Sequence, residues 1–249
     1  MTQVNVASAK PDYGLDAPGL VKAFLAGGVL MATFGALIPQ LGLQPEVTDW
    51  LSNWLLWPGL SIAASGLLMV WSAYVGKYQA RDALLGRLSL VGTESVLDLG
   101  CGRGLLLLGA AKRLPRGEAI GIDLWSQRDL SANNKEATLA NAEAEGVLGR
   151  VKIIDGDMRK IPLPDASVDV VVASMSIHNI PTQEGRSEAL HEASRVLRPG
   201  GRMALLDFKF TSEYAKVLRD VGLVKVAVSS MSFWNFPPSR TVFAEKKRL

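Results

Sequence analysis

The chain is short of the residues that build cross-links and metal cages: it has one cysteine, Cys101, and two histidines, His178 and His191. One thiol excludes an intrachain disulfide framework, and no His, Cys or carboxylate spacing of a metal centre is present. No Ser-His-Asp order or paired-acid arrangement emerges either, which argues against hydrolytic chemistry. Charge of one sign is also scarce. The formal net charge is +3, and the only basic run, Lys246-Lys247-Arg248, reads as a solvated end. Nucleic-acid binding calls for a clustered basic face with interleaved aromatics, so nucleic acid is not expected as a partner. No internal repeat or low-complexity tract is present.

Charge is missing altogether from residues 23–38 and 51–76. A helix crossing the hydrocarbon core needs about 20 mostly apolar residues. The second run meets that directly, and the first does so as 20–38 if Lys22 reaches back to the headgroups. Gly28 and Ala32 on one run, and Gly59 and Ala63 on the other, have the spacing that lets two helices approach closely. The reading is therefore a transmembrane hairpin, with pairing between copies through the same helices left open. A signal peptide does not fit, because Asp12 and Asp16 precede the run where a basic region belongs. A hairpin lying in the bilayer interface stays open as a rival. The loop between the runs has Glu46 and Asp49 but no Lys or Arg, whereas Lys10, Lys22, Lys77, Arg81 and Arg87 flank the outer ends. Positive residues stay inside, so both termini and the following domain are expected in the cytoplasm. Trp50, Trp54 and Trp57 would then lie at the outer interface, and Trp71, Tyr74 and Tyr78 at the inner one.

The chemistry-bearing motif is V-L-D-L-G-C-G-R-G at residues 96–104. An apolar strand brings Asp98 to its carboxyl end, and Gly100, Gly102 and Gly104 let the backbone pass close to a ligand before a helix begins. The helix N-terminus then points its amides at that ligand. A second apolar strand ends in Asp123, where an acid suits ribose hydroxyls. The dinucleotide fingerprint G-x-G-x-x-G does not fit, because the third glycine comes one residue early. Asp98 would also repel a pyrophosphate. An acid there suits a cationic ligand, such as an amino group or a sulfonium, which points to S-adenosylmethionine rather than a nicotinamide or flavin.

Four further segments follow in order: G-I-D-L-W at 121–125, D-G-D-M-R-K-I-P-L-P-D at 155–165, S-V-D-V-V-V-A-S at 167–174, and R-V-L-R-P-G-G-R-M-A-L-L-D-F at 195–208. With the glycine motif they make residues from about 80 to 249 resemble class I S-adenosylmethionine-dependent methyltransferases, in particular the ubiquinone/menaquinone C-methyltransferase group. The resemblance implies an α/β, Rossmann-like seven-stranded fold, S-adenosyl-L-methionine as cofactor and S-adenosyl-L-homocysteine as product. It implies cofactor contacts from Asp98, Gly100, Cys101, Gly102, Gly104, Asp123, Leu124, Trp125, Asp157, Met158 and Ser174. Leu124 or Trp125 would lie against adenine, with Asp157 and Met158 reading its amino group and covering its ring. Asp155 reads as structural.

Strands are expected at 95–98, 119–123, 151–155, 168–173, 202–208, 224–229 and 240–246, and helices near 104–114, 133–145, 183–197 and 212–221. The organisation expected is an N-terminal segment 1–19 that is poorly ordered, the hairpin over 20–78, and the methyltransferase domain over 79–249. A short amphipathic helix at 79–90 would join the last two. His178 and Asn179 follow the fourth strand beside the cofactor crevice and are the candidate catalytic pair. In the quinone methyltransferases an arginine stands where this chain has His178. That histidine reads either as a base acting on the acceptor or as a cap for the next helix. His191, between Glu188 and Glu192, reads as exposed.

The sequence points to a membrane-anchored methyltransferase with a lipophilic acceptor, the lipid bilayer being its other partner. A small soluble acceptor such as a thiol or amine, and a cofactor-binding membrane protein without activity, are the readings left beside it.

Overall fold

The computed structural model describes residues 10–127 and 129–248. Two apolar helices come first, α1 at Pro18–Leu37 and α2 at Pro45–Trp71. Each opens on a proline, whose missing N–H costs nothing in a first turn. They pack against each other along their small residues. A Cβ added to Gly28 would come within 2.4 Å of Ala63 N, and one on Gly59 within 2.4 Å of Ala32 N. Gly35 and Gly66, not anticipated, extend the same seam against Leu56 and Leu25. Ser52 Oγ adds a bond across it, donating to Gly35 O at 2.8 Å. The outer faces remain exposed, with Leu30, Phe34, Trp54, Trp57 and Leu67 each at 60% or more.

The second helix does not stop where the charge-free run ends. A wide π-type turn at Ser72–Gly76 passes directly into α3, Lys77–Arg87. Pro45–Arg87 is one helical rod of 43 residues, about 64 Å long at 1.5 Å per residue. The separate joining helix expected at 79–90 is thus its last portion. Ala80, Leu84 and Leu85 of α3 are buried in the core of the following domain.

That domain is built on a sheet of order β3-β2-β1-β4-β5-β7-β6. Its strands are β1 Ser95–Leu99, β2 Glu118–Asp123, β3 Val151–Asp155, β4 Val168–Ser174, β5 Leu197–Asp207, β6 Val224–Val228 and β7 Arg240–Glu245. The first five run parallel and β7 is antiparallel to both its neighbours. This is the seven-stranded arrangement expected. The parallel strands are apolar on both faces because helices cover both. One core layer holds Leu97, Leu99, Ile122, Val171, Leu190 and Tyr214 under α6 Gln183–Val196 and α7 Thr211–Asp220. The other holds Val96, Leu107, Val170, Val172 and Ala204 under α3 and α4 Leu105–Lys112. α5, Lys135–Ala144, is capped by Asn134, whose side chain accepts from Ala137 N.

Residues 10–17 correct one expectation. Far from loose, they run across the domain beside α5. Asp16 bridges to Leu130, and Leu15 N donates to Ser131 Oγ at 2.8 Å. The Tyr13 ring is buried, with its hydroxyl donating to Glu145 Oε1 at 2.7 Å. Residues 1–9 of the segment expected to be poorly ordered lie outside the described residues.

Candidate functional site

The carboxyl ends of β1, β2 and β4 meet at the glycine turn. Ile122 O accepts from Gly100 N at 2.8 Å and from Cys101 N at 3.2 Å, folding the turn back over β2. Gly100 has φ +69° and a Cβ there would lie 2.4 Å from Ser176 Cβ, so only glycine fits. Ser176 holds its own place by donating to Leu99 O at 2.6 Å.

Beside this turn lies a cavity of about 330 Å³. Of the expected site residues, Asp98, Gly100, Cys101, Gly102, Asp123, Leu124, Asp157, Met158, Ser174 and Asn179 line it. Asp98 is 1% exposed, and its Oδ2 has no hydrogen-bond partner among the described residues. Burial, and secondarily the carboxylate of Asp123, push its pKa up to about 8. A buried carboxyl with a free oxygen is a seat for a cation, which would supply the missing partner and draw off its proton. Burial also holds the Cys101 thiol well above its ordinary pKa, leaving it a neutral packing group.

Asp123 does more than face the cavity. Its Oδ2 accepts from Gly102 N at 2.7 Å and its Oδ1 from Trp125 N at 2.6 Å. A carboxylate has about four acceptor sites, so capacity for hydroxyl donors remains. Asp157 is ion-paired with Arg159 at 2.5 Å, which lowers its pKa and keeps it charged.

Three of the expected site residues are not in the cavity lining. Gly104 lies behind the turn, packed on Leu108 and Thr138 at the start of α4, and does not reach the cavity. Trp125 faces away: the bond from its own N–H to Asp123 turns Leu124 toward the cavity, while the indole donates to Asp155 Oδ1 at 2.8 Å. His178 is also outside the lining. Its Nδ1 stands 2.8 Å from Asp207 Oδ1, at ion-pair distance but without hydrogen-bond alignment. Its backbone N–H donates to Asp207 Oδ2 at 3.2 Å. Asp207, at the end of β5, also accepts from the Tyr214 hydroxyl at 3.1 Å. His178 is thus tied to the sheet, and Asn179 is the member of the pair that reaches the cavity.

The remaining wall was not anticipated. Tyr13 and Asp16 of the N-terminal segment line it, as do Met69 and Ser72 of the apolar helix, Lys77, and Asn235 and Phe236 from the β6–β7 loop. Lys77 fastens the segment to the rod, its Nζ donating to Tyr13 O at 3.0 Å and Gly14 O at 2.6 Å. Burial lowers its pKa, against the pull of Asp16. Asn133, also in the wall, is 4% exposed with Oδ1 unpartnered. The motif around Asp98 could not reveal these residues, because they lie far from it along the chain, from Tyr13 to Phe236. Among the described residues no group of three or more His, Cys, Asp or Glu gathers as a metal site.

Residues 97–205 match the family model of a methyltransferase domain. The chain is 35% identical over 158 residues to the 27-O-demethylrifamycin SV methyltransferase of Amycolatopsis mediterranei, covering 60% of this chain and 54% of that one. It is 32% identical over 147 residues to a ubiquinone/menaquinone biosynthesis C-methyltransferase of Dinoroseobacter shibae, with coverage of 59% and 52%. The chain thus spans about half the length of the curated relatives it matches. In fold it is similar to a SAM-dependent methyltransferase from Aquifex aeolicus, with a TM-score of 0.53 at 22% identity over 66% of this chain and 88% of that one. Residues 97–205 thus match a methyltransferase domain, and the sheet has the fold of the Aquifex enzyme.

Proposed function

We propose that the whole protein is a membrane-anchored enzyme that transfers a methyl group from S-adenosylmethionine to a lipophilic small molecule taken from the bilayer. One observation carries the reading: a single cavity is lined both by Asp98, the glycine turn and Asp123 and by Met69, Ser72 and Phe236. The anchor therefore forms part of the site.

The cofactor end fits its ligand by charge. Asp98 Oδ2, buried and unpartnered, would take the ammonium of the methionine part, and Asp123 the ribose hydroxyls. Leu124 and Met158 would enclose the adenine, with Asp157 at its edge. When bound, S-adenosylmethionine supplies a methyl group already activated on a sulfonium. The chain's remaining work is to align the acceptor and exclude water. The apolar end does both, and Asn179 offers an amide to orient a polar atom of the acceptor. His178 acts through Asn179 as a positioning residue, since Asp207 holds its backbone and ring together.

Membrane spanning is supported by exposure. Only 22% of each apolar window is buried in the protein, whereas a core helix of this composition would be mostly covered. Water would contact the rest at about 25 cal/mol per Å² of apolar surface, and a bilayer removes that cost. The flanking charges support a cytoplasmic side for both termini and the domain. A quinone-type ring is one acceptor of the proposed class, the kind for which the Dinoroseobacter relative is named.

The test is to incubate membranes carrying the full-length protein with methyl-labelled S-adenosylmethionine and to analyse both phases by mass spectrometry after organic extraction. Label in an apolar product supports the proposal. Label confined to a water-soluble thiol or amine would replace it with the soluble-acceptor reading.

A further inference from the structure

Between Lys225 and Arg240 the chain carries no charged residue, and this stretch includes the loop joining β6 to β7. The loop is built inside out for water. Two of its polar residues turn inward: Asn235 and Ser239 are buried, with Asn235 donating to Ser239 Oγ at 3.1 Å and Ser232 exchanging backbone bonds with Ser239 at 2.8 and 2.9 Å. Its apolar side chains turn outward, with Met231 47%, Phe233 72% and Trp234 45% exposed. A solvated turn presents the opposite pattern, and an exposed apolar cluster marks a surface that meets something.

The partner is indicated by where the loop is fastened. Trp234 stacks on Trp71, with ring centroids 6.3 Å apart and planes 20° from parallel. Phe236 N donates to Ser72 Oγ at 3.0 Å, and a Cβ on Gly76 would overlap the Trp234 carbonyl. Trp71, Ser72 and Gly76 are the final turns of the charge-free run, just before Lys77. In a spanning helix that level is the boundary between hydrocarbon and headgroups, where tryptophan concentrates. The exposed Tyr74 continues the patch along the helix.

We propose that the β6–β7 loop is a second membrane contact, with Met231, Phe233 and Trp234 entering the cytoplasmic leaflet of the bilayer. Arg240, exposed where the loop enters β7, suits anionic headgroups. Asn235 and Phe236 of the same loop line the cavity beside Met69 and Ser72. The loop therefore frames the side of the site that faces the bilayer, and a lipophilic acceptor would enter between it and the rod. This inference rests on the spanning reading of the hairpin.

The test uses the full-length protein in vesicles of phosphatidylcholine and phosphatidylglycerol. Cysteine is introduced as Phe233→Cys, as Met231→Cys in a second variant, and as Val91→Cys, a control 76% exposed just before β1, at the opposite end of the strands. Each is labelled with an NBD fluorophore; Cys101 is buried, and the unsubstituted protein gives the background. At 233 and 231 the label is expected to be quenched by doxyl lipids and protected from iodide, with the reverse at 91. Iodide quenching at 233 and 231 equal to that at 91 would overturn the inference. So would protection from both quenchers, which would mean that protein, such as a second copy, covers the loop. Carbonate extraction of the same vesicles keeps the premises apart. A retained protein with a wet loop defeats the loop alone, whereas release of the protein defeats the hairpin.

Discussion

Replacing Asp98 with asparagine should make the protein more stable and a poorer binder at once. In the unfolded chain this carboxyl releases its proton near 3.8, whereas burial and Asp123 hold the proton in the fold up to about 8. Near pH 4 and below both states are protonated, and the residue costs little. Between there and pH 8 the unfolded state binds fewer protons than the folded one, so stability falls as pH rises. At 1.36 kcal/mol per pKa unit, the penalty at pH 7 is about 4 kcal/mol. An amide in place of the carboxyl is close in shape and cannot ionise, so the variant escapes the penalty. At roughly 2–4 °C per kcal/mol for a chain of this size, it should melt about 10 °C higher than the wild type at pH 7. The advantage should widen from pH 5 to pH 8 and then level off. Binding should move the other way. Loss of a charged hydrogen bond, worth about 1.5–3 kcal/mol, weakens S-adenosylmethionine roughly ten- to hundredfold. Thermal melts of the cofactor-free, detergent-solubilised protein at pH 5 and pH 8, with calorimetric titration at pH 7, read both effects. A variant that melts no higher at pH 8, or that binds cofactor undiminished, refutes Asp98 as the cation seat.

Asp123→Ala should weaken S-adenosylmethionine by at least tenfold in the same titration, and lower the melting temperature because Gly102 N and Trp125 N lose their acceptor. His178→Ala should leave cofactor affinity unchanged and reduce turnover about tenfold at every pH, short of the 10²- to 10⁴-fold worth of a general base; a loss that disappears at high pH would restore the base reading. Gly59→Val puts a branched side chain against Ala32 N and should separate the two apolar helices, seen as faster proteolysis of the loop between them while cofactor binding persists. Full-length protein should remain with membranes through an alkaline carbonate wash, because apolar burial rather than charge holds it; release would favour a hairpin lying in the interface.

What can be read in the chain is what neighbouring residues decide together. V-L-D-L, A-I-G-I-D and D-V-V-V-A-S announce buried parallel strands, because strands covered on both faces need continuous apolar runs. The glycine turn is legible for a similar reason: the acid, the glycines and the helix start lie within a few residues. The end of the charge-free run at Gly76 is no guide to the end of the helix, because the rod continues through it into α3. That glycine is required by the Trp234 carbonyl, which arrives from far along the chain.

The features that alter the functional reading are all of that non-local kind. Asp12 N meets Asn141 Oδ1 across 129 residues, and Lys77 Nζ meets Tyr13 O across 64. No periodicity marks residues 10–17, because backbone bonds and single side chains, not an apolar face, hold them. His178 follows the fourth strand, but its partner Asp207 ends the fifth, and that pairing draws the ring away from the cavity. A motif identifies the half of the site that binds a cofactor, since that half is one continuous turn. The wall proposed for the acceptor is assembled from α2, the N-terminal segment and the β6–β7 loop, three pieces that are each ordinary in isolation. Their convergence on one cavity is why the bilayer enters the proposed function as a source of substrate as well as a place of attachment.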